Sequence, residues 1–442
     1  MTLALLYLND QALRLFTETG EQRSESGYVQ IDDNGLISGD AARADAWLRP
    51  QFSYNQHWRQ LDQRPLKKNL RWARSHADMA YAQLRQLLHG IDQPQLVLGV
   101  PASLDDSQLA LLLGLLKAQS VEVCGIVDNA LLSAAPEHRA VLELQQHQSV
   151  ISHLQRADGQ LQVASHELLL DLGALAIQRD VARHISDQLI ADTRYDPLHS
   201  SASQQALHDA LPDWLARLAQ QTEYLTELPS PQGALALRLN RARLQGILAP
   251  RTENLNRALQ HHAANHLAIA PASELLATFS PNLSPNLSPD LSGVTIVGAA
   301  DAARRGLALG RAWQRNPPPL QRQQSLAIAL IDDRAGRPSA ARADSTAQAQ
   351  TDDGAATSIH LLYQNRAWRL DQPLSISLAG DQLAVAYGQL ASADITLIKD
   401  AQGLRVIASS GAHEVQLPSR HKAGEWLQLG ASKVALIEVV DA

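Results

Sequence analysis

Chemistry in this chain has to come from histidines, carboxylates and hydroxyls, because Cys124 is the one cysteine among 442 residues. A lone thiol inside the apolar run VEVCGIV reads as a small core residue, with no partner for a disulfide and no thiolate set for zinc. The histidines are scattered. His262 and His266 stand at the i, i+4 spacing that puts two imidazoles on one helix face, with His261 beside them. No glutamate lies between them in the metalloprotease pattern, so the group reads as a solvated helix end. The nucleophile elbow Gly-Xaa-Ser-Xaa-Gly, the dinucleotide turn Gly-Xaa-Gly-Xaa-Xaa-Gly and the P-loop lysine motif are all missing from the sequence.

The elements that would position any site centre on residues 95–135, QLVLGVPASLDDSQLALLLGLLKAQSVEVCGIVDNALLSAA. Residues 95–100 form an apolar run closed by Pro101. Asp105 and Ser107 supply N-cap chemistry, and 109–117 is a leucine-dense helix whose apolar residues point to burial rather than to a cofactor pocket. Residues 120–127 predict a second strand, and Asp128 caps a small-residue helix over 130–135. That is a β-α-β-α unit with parallel, covered strands. Before it, 2–8 and 12–16 predict two strands around an Asn9-Asp10 turn, 28–31 and 36–37 a hairpin closed by Asn34-Gly35, and 78–88 a helix. After it, 141–144, 150–154 and 161–164 predict a second meander. Helix is expected within 168–190 and over 203–225 and 241–259, with a strand at 234–239. The repeat PNLSPNLSPDLS at 281–292 predicts a loop, and the Ala/Ser/Asp/Gln-rich stretch 336–357 a flexible linker. Short strands at regular spacing then predict a β-sandwich over 358–442.

Composition narrows the partners. Apolar residues make up 45% and charged residues 19%, so a folded core is expected, and a net charge of −7 offers nucleic acid no attraction. The opening MTLALLYLND lacks a basic n-region, and no segment reaches about 18 unbroken apolar residues. The expectation is a cytoplasmic protein with no membrane and no nucleic-acid partner.

Val100-Pro101-Ala102, then Asp106-Ser107-Gln108, a helix, a strand and an Ala/Ser helix resemble the first lobe of the 70-kilodalton heat-shock chaperones, in the actin-like ATPase superfamily. Gly39-Asp40-Ala41-Ala42-Arg43 resembles that family's helix start after its first hairpin, and DAARRGLALGRAW at 301–313 its last ATPase helix. The resemblance implies a two-lobed α/β actin-like (ribonuclease H-like) module over 1–322, with lobe I about 1–140 and lobe II about 141–300. It also implies a nucleotide cleft between the lobes.

In the family that cleft needs glycine-rich phosphate loops, whose bare backbone lets N–H groups approach the phosphates. The first loop aligns to Leu6-Tyr7-Leu8-Asn9-Asp10-Gln11, with Tyr7 at the family's Asp position and no glycine. The second aligns to Glu143-Leu144-Gln145-Gln146-His147-Gln148, where one acid survives without glycines. The acid that starts the small-residue helix maps to Asn129, with Asp128 beside it. The adenosine loop has no match within 259–292, and Gly298-Ala299-Ala300 is its only remnant. Asp171-Leu172-Gly173 looks like a phosphate-loop start, but it falls where the family enters a helix. Losing about three charge-assisted contacts at roughly 1.5–3 kcal/mol each weakens phosphate binding by about three to six decades. The vestigial cleft is therefore Asn9, Asp10, Asp128, Asn129, Glu143, Gln145, Gln146 and Gly298, with no catalytic residue, no metal and no cofactor.

The resemblance and its erosion together imply a pseudo-ATPase that binds another protein as a scaffold or regulatory adaptor. The alternatives are a divergent chaperone that binds Mg-ATP through Glu143, Asp10 and Asp128, and a sugar-kinase-like enzyme on the same fold. The last two strands of the C-terminal segment resemble those of forkhead-associated domains. Asp381 follows Gly380 where that family carries its phosphate-binding Arg, so no phosphothreonine recognition is expected.

Overall fold

The computed structural model describes residues 1–331 apart from 69, 232, 261–265 and 280–293, together with the strands between 357 and 440. It divides into two compact units, Met1–Ala340 and Ala341–Ala442. The loop repeat at 281–292, residues 336–356, His261 and His262, and Gly380 and Asp381 lie outside the described residues.

The first unit starts with an antiparallel meander of β1 (Thr2–Tyr7), β2 (Leu13–Thr17) and β3 (Gln22–Glu25). A small sheet of β4 (Val29–Ile31), β5 (Leu36–Ser38) and β6 (Ser53–Tyr54) follows, with the short helix α1 (Asp40–Arg43) between β5 and β6. Next come α2 (His76–Leu87), β7 (Pro94–Val100), α3 (Asp106–Lys117), β8 (Glu122–Asp128) and α4 (Asn129–Ser133). β7 runs parallel to β1, and β8 parallel to β7. Both faces of these strands are covered, which is why Leu3, Leu5, Val97 and Val127 enter one core cluster and Ala4, Leu6, Leu98 and Ile126 another. α3 begins in a capping box. Asp105 Oδ1 accepts from Gln108 N at 2.8 Å, and Gln108 Oε1 accepts from Asp105 N at 3.1 Å. Cys124 lies in β8 where the pairing with β7 shifts register; it is buried, and its thiol donates to Leu96 O.

A second meander, β9 (Ala140–Leu144), β10 (Ser149–Ala157) and β11 (Gln160–Leu169), opens the second half. α5 (Ala174–Thr193), α6 (Ser201–Gln220), the hairpin of β12 (Glu223–Ser230) and β13 (Gly233–Asn240), and α7 (Arg241–Gln260) follow. Then come β14 (Leu267–Ile269), α8 (Glu274–Phe279), β15 (Val294–Ile296) and α9 (Ala299–Arg315). The chain continues past Arg322 into β16 (Arg322–Gln323), β17 (Ser325–Ala327) and α10 (Ile328–Ile331).

The two sheets repeat one plan. Their orders are β16-β8-β7-β1-β2-β3 and β15-β14-β9-β10-β11-β17. In each, a three-strand meander is extended on its first strand by parallel strands, β7, β8 and β16 in the first sheet and β14 and β15 in the second. β16 and β17 stand one residue apart in sequence yet join different sheets, so residues 322–327 tie the two together.

One expectation is corrected. Helix was expected to Leu225, but α6 ends at Gln220 and residues 223–230 form β12, because ladder pairing with β13 and the burial of Leu228 outweigh local helix preference. Residues 168–169, the first of the 168–190 segment, belong to β11, and the helix expected after them is α5. Between 259 and 292, for which no strand or helix was singled out, β14 pairs parallel with β9 and leads through Ala270–Ser273 into α8. Three residues of strand are too short to show a period.

The second unit contains two antiparallel sheets. One has the order β19 (Arg366–Arg369), β18 (Thr357–Tyr363), β26 (Ser432–Val440) and β25 (Trp426–Leu429). The other has the order β21 (Gln382–Tyr387), β20 (Leu374–Ala379), β22 (Ile395–Asp400), β23 (Gly403–Ala408) and β24 (Arg420–His421). Its first and last strands pair with each other, and Leu374 and Ile376 are fully buried.

α9 lies directly on the first sheet. A Cβ on Gly125 of β8 would stand 2.2 Å from the Trp313 ring, whereas one on Gly114 in α3 would meet nothing within 4 Å. Gly125→Ala is therefore expected to lower the unfolding free energy by about 1–3 kcal/mol through overpacking, and Gly114→Ala to raise it by roughly 0.5–1 kcal/mol. Urea unfolding of the two variants checks the contrast; equal effects would contradict this packing.

Candidate functional site

β1 and β9 occupy equivalent positions in the two sheets, and the turns that follow them face each other. The first turn, residues 8–11, closes with Ala12 N donating to Asn9 O; the second, 145–148, closes with Gln145 N donating to Gln148 O. Asn9 Nδ2 crosses the gap to Glu143 Oε1 at 3.1 Å and to Leu144 O at 3.0 Å. Asn129, the first residue of α4, donates to the same carboxyl at 3.2 Å and to Leu8 O at 2.9 Å. Asp10 Oδ1 accepts from Gln146 N at 2.6 Å, Gln11 Nε2 donates to Ala272 O, and Gln145 pairs with Ser103. Each turn is backed by a glycine: a Cβ on Gly27 would lie 2.2 Å from Asp10 O, and one on Gly173 2.3 Å from the His147 carbonyl carbon.

Asn9, Asp10, Asp128, Asn129, Glu143, Gln145 and Gln146 are all buried. Burial pushes the Glu143 carboxyl from 4.5 up to about 8, and the charges of Asp128 and Asp10 add to the shift against the Asn129 N–H bond. Burial also raises Asp10, opposed by the Gln146 N–H, and raises Asp128, opposed by the Ala130 N–H that it caps at 2.9 Å. The imidazole of His166 lies 4.0 Å from Asp128 and is itself pushed down by burial. Fully buried Tyr7 ends β1 beside this cluster, and burial together with the Glu143 charge moves its phenol well above its ordinary value.

The space left among Leu8, Asp10, Pro101, Ser103, Gln145 and Gln148 is about 30 Å³. Small-molecule sites occupy roughly 300–1,000 Å³, so this gap has the size of a water rather than of a phosphate chain. A second set of contacts closes the rim. Trp47 stacks on His208 with ring centroids 4.1 Å apart, Trp47 N donates to Gln205 Oε1, and Gln205 Nε2 donates to Arg43 O. Outside the buried turns, a cleft of about 700 Å³ opens beside this stack, with Tyr28, His147, Arg179 and Arg251 on its walls. Arg251 is already engaged by Asp180.

The structure thus brings together seven of the eight residues singled out from the sequence. Gly298 stands elsewhere, as the N-cap of α9. Gly173 of Asp171-Leu172-Gly173 is the N-cap of α5, whose first amides, Ala174 N and Leu175 N, donate to Gln145 O and Gln146 O. Sequence reasoning missed Gln11, Ser103 and Ser273, the last of which accepts from Leu144 N at 2.8 Å. The Ala-Ser-Glu step before α8 was the one signal that could have pointed to Ser273. It missed the Trp47–His208 stack as well. Among the described residues, no group of three or more His, Cys, Asp or Glu is arranged to hold a metal ion, and no helix is long and apolar enough to cross a membrane. No protein-family model and no curated protein matches the chain.

Because the folded state holds the Glu143 proton more tightly than the unfolded chain does, its contribution to stability is undiminished below about pH 4.5 and falls as the pH climbs towards 8. Glu143→Gln keeps an acceptor for Asn9 and Asn129 without the charge. The variant is expected to match the parent near pH 5 and to exceed its unfolding free energy at pH 9 by about 2–4 kcal/mol. Denaturation curves across that range check the prediction, and a constant offset at every pH would contradict it.

Proposed function

We propose that the Met1–Ala340 unit is a two-lobed actin-like module similar to the heat-shock-chaperone ATPases. Its nucleotide cleft is closed by the chain's own side chains, and it serves as a protein-binding scaffold or regulatory adaptor. The shared strand order of the two sheets supports the architectural half of this reading. One observation carries the functional half: Asn9 and Asn129 converge on the buried carboxyl of Glu143, in the gap where a cleft of this kind would receive phosphates. The amides that could cradle an anion are committed as well, Gln146 N to Asp10 and Ala174 N and Leu175 N to the carbonyls of Gln145 and Gln146. Nucleotide entry would expose three carboxyls to a triphosphate and break these bonds, and each buried polar group left unpaired costs about 1–3 kcal/mol. The second unit, read as a β-sandwich similar to forkhead-associated domains, adds a docking or dimerisation surface.

Calorimetric titration of the whole protein with Mg-ATP and Mg-ADP tests this. The expected result is no binding tighter than about millimolar, which corresponds to roughly 4 kcal/mol of binding free energy, and no hydrolysis. Micromolar binding of either nucleotide would overturn the scaffold reading in favour of a divergent ATPase.

A further inference from the structure

The outer side of α2 carries a groove of about 850 Å³, bounded on one side by the β4–β5 turn at Asn34 and Gly35 and on the other by residues 71–74. Arg71, Arg74, Arg85 and His89 line it, against one acid, Asp78. Arg74 is occupied: its backbone N donates to Asp78 Oδ2 at 2.7 Å, and its side chain reaches the same oxygen. Arg71 and Arg85 are exposed, and among the described residues neither forms an ion pair with a carboxylate. Trp72 stands 44% exposed, with the Arg71 guanidinium 4.9 Å from its ring centroid. The approach to the groove is also basic, since RPLKKNLRWAR at 64–74 holds five cations and no acid. Of these five, Arg64 is paired with Asp62 and Arg74 with Asp78, so the run stays locally basic in a chain of net charge −7.

We propose that this groove binds a short acidic segment of a partner protein, with carboxylates on Arg71 and Arg85 and an apolar side chain against Trp72. Arginine suits the role, because its planar fork takes a carboxylate through two parallel N–H bonds, and an exposed tryptophan adds apolar area with little side-chain freedom to lose. A peptide fits better than a nucleic acid or an anionic membrane. The groove is walled on both sides, and beyond it the net negative charge of the protein repels an extended polyanion. The inference rests on the scaffold reading in that it names the kind of partner. Nucleotide titration tests that reading separately, so the two can fail independently.

Fluorescence anisotropy with the full-length protein provides the test. The probe is a fluorescein-labelled Glu-Asp-Leu-Glu-Asp-Phe-Glu-Asp peptide, compared with the same peptide carrying Lys for every acid, with a short oligothymidylate and with phosphatidylserine vesicles. Only the acidic peptide should bind, more weakly as salt rises. R71E/R85E should reduce its affinity by about tenfold or more and W72A by about threefold or more, with unchanged thermal midpoints. R71Q/R85Q, which removes the charges without reversing them, should fall between parent and R71E/R85E. The proposal is overturned if the acidic peptide does not bind, if R71E/R85E and R71Q/R85Q bind it as the parent does, or if the oligonucleotide or the vesicles bind more tightly than the peptide.

Discussion

A carboxyl taken out of water must be given donors or a proton, and at Glu143 the first unit supplies donors from two directions. Asn9 reaches it from the turn after β1 and Asn129 from the start of α4, while burial and the neighbouring acids favour its protonated form. Removing either asparagine would leave a buried polar group short of a partner. The positions of the two turns, the entry of α4 and the end of β9 are therefore mutually dependent, and the sheets on either side are held at the separation this bridge allows. Asp10 and the Gln146 amide add a second bond across the same gap.

That bridge can form because the two sheets repeat one plan. Each places its first strand at the centre of the meander-plus-parallel arrangement, so the turns after β1 and β9 occupy equivalent positions and can face each other. That placement lets Asn9 reach Glu143 and Leu144 O, and Asp10 accept from Gln146 N, across the gap between the turns. Residues 322–327 then join both sheets at their outer edges, and the Trp47–His208 stack closes the rim. These ties oppose any opening of the lobes that would admit a ligand to the buried turns.

Much of this was legible in the sequence wherever local chemistry and burial agree. The capping pair Asp105 and Gln108, the apolar run before Pro101 and the cap at Asp128 locate β7, α3 and α4 closely. Asn9, Asp10, Gln145 and Gln146 are singled out in a different way, by the resemblance of their two turns to the phosphate loops of the heat-shock chaperones. What the sequence does not carry is long-range pairing. β12 looks like the tail of a helix until β13 pairs with it, and β14 is too short for any period. Gly298 drew attention for its type, but its role is to start α9. Trp47 and His208 meet only because the turn after α1 packs against α6, far away in the chain, and no spacing rule links them.

The claim that the chain fills its own cleft is tested most directly by hydrogen exchange at the two turns, with and without saturating Mg-ATP. The account predicts that the Gln146 amide, bonded to Asp10, and the Leu144 amide, bonded to Ser273, are protected in the free protein and exchange at the same rate when nucleotide is added. Fast exchange of these amides in the free protein, slowed by Mg-ATP, would contradict it.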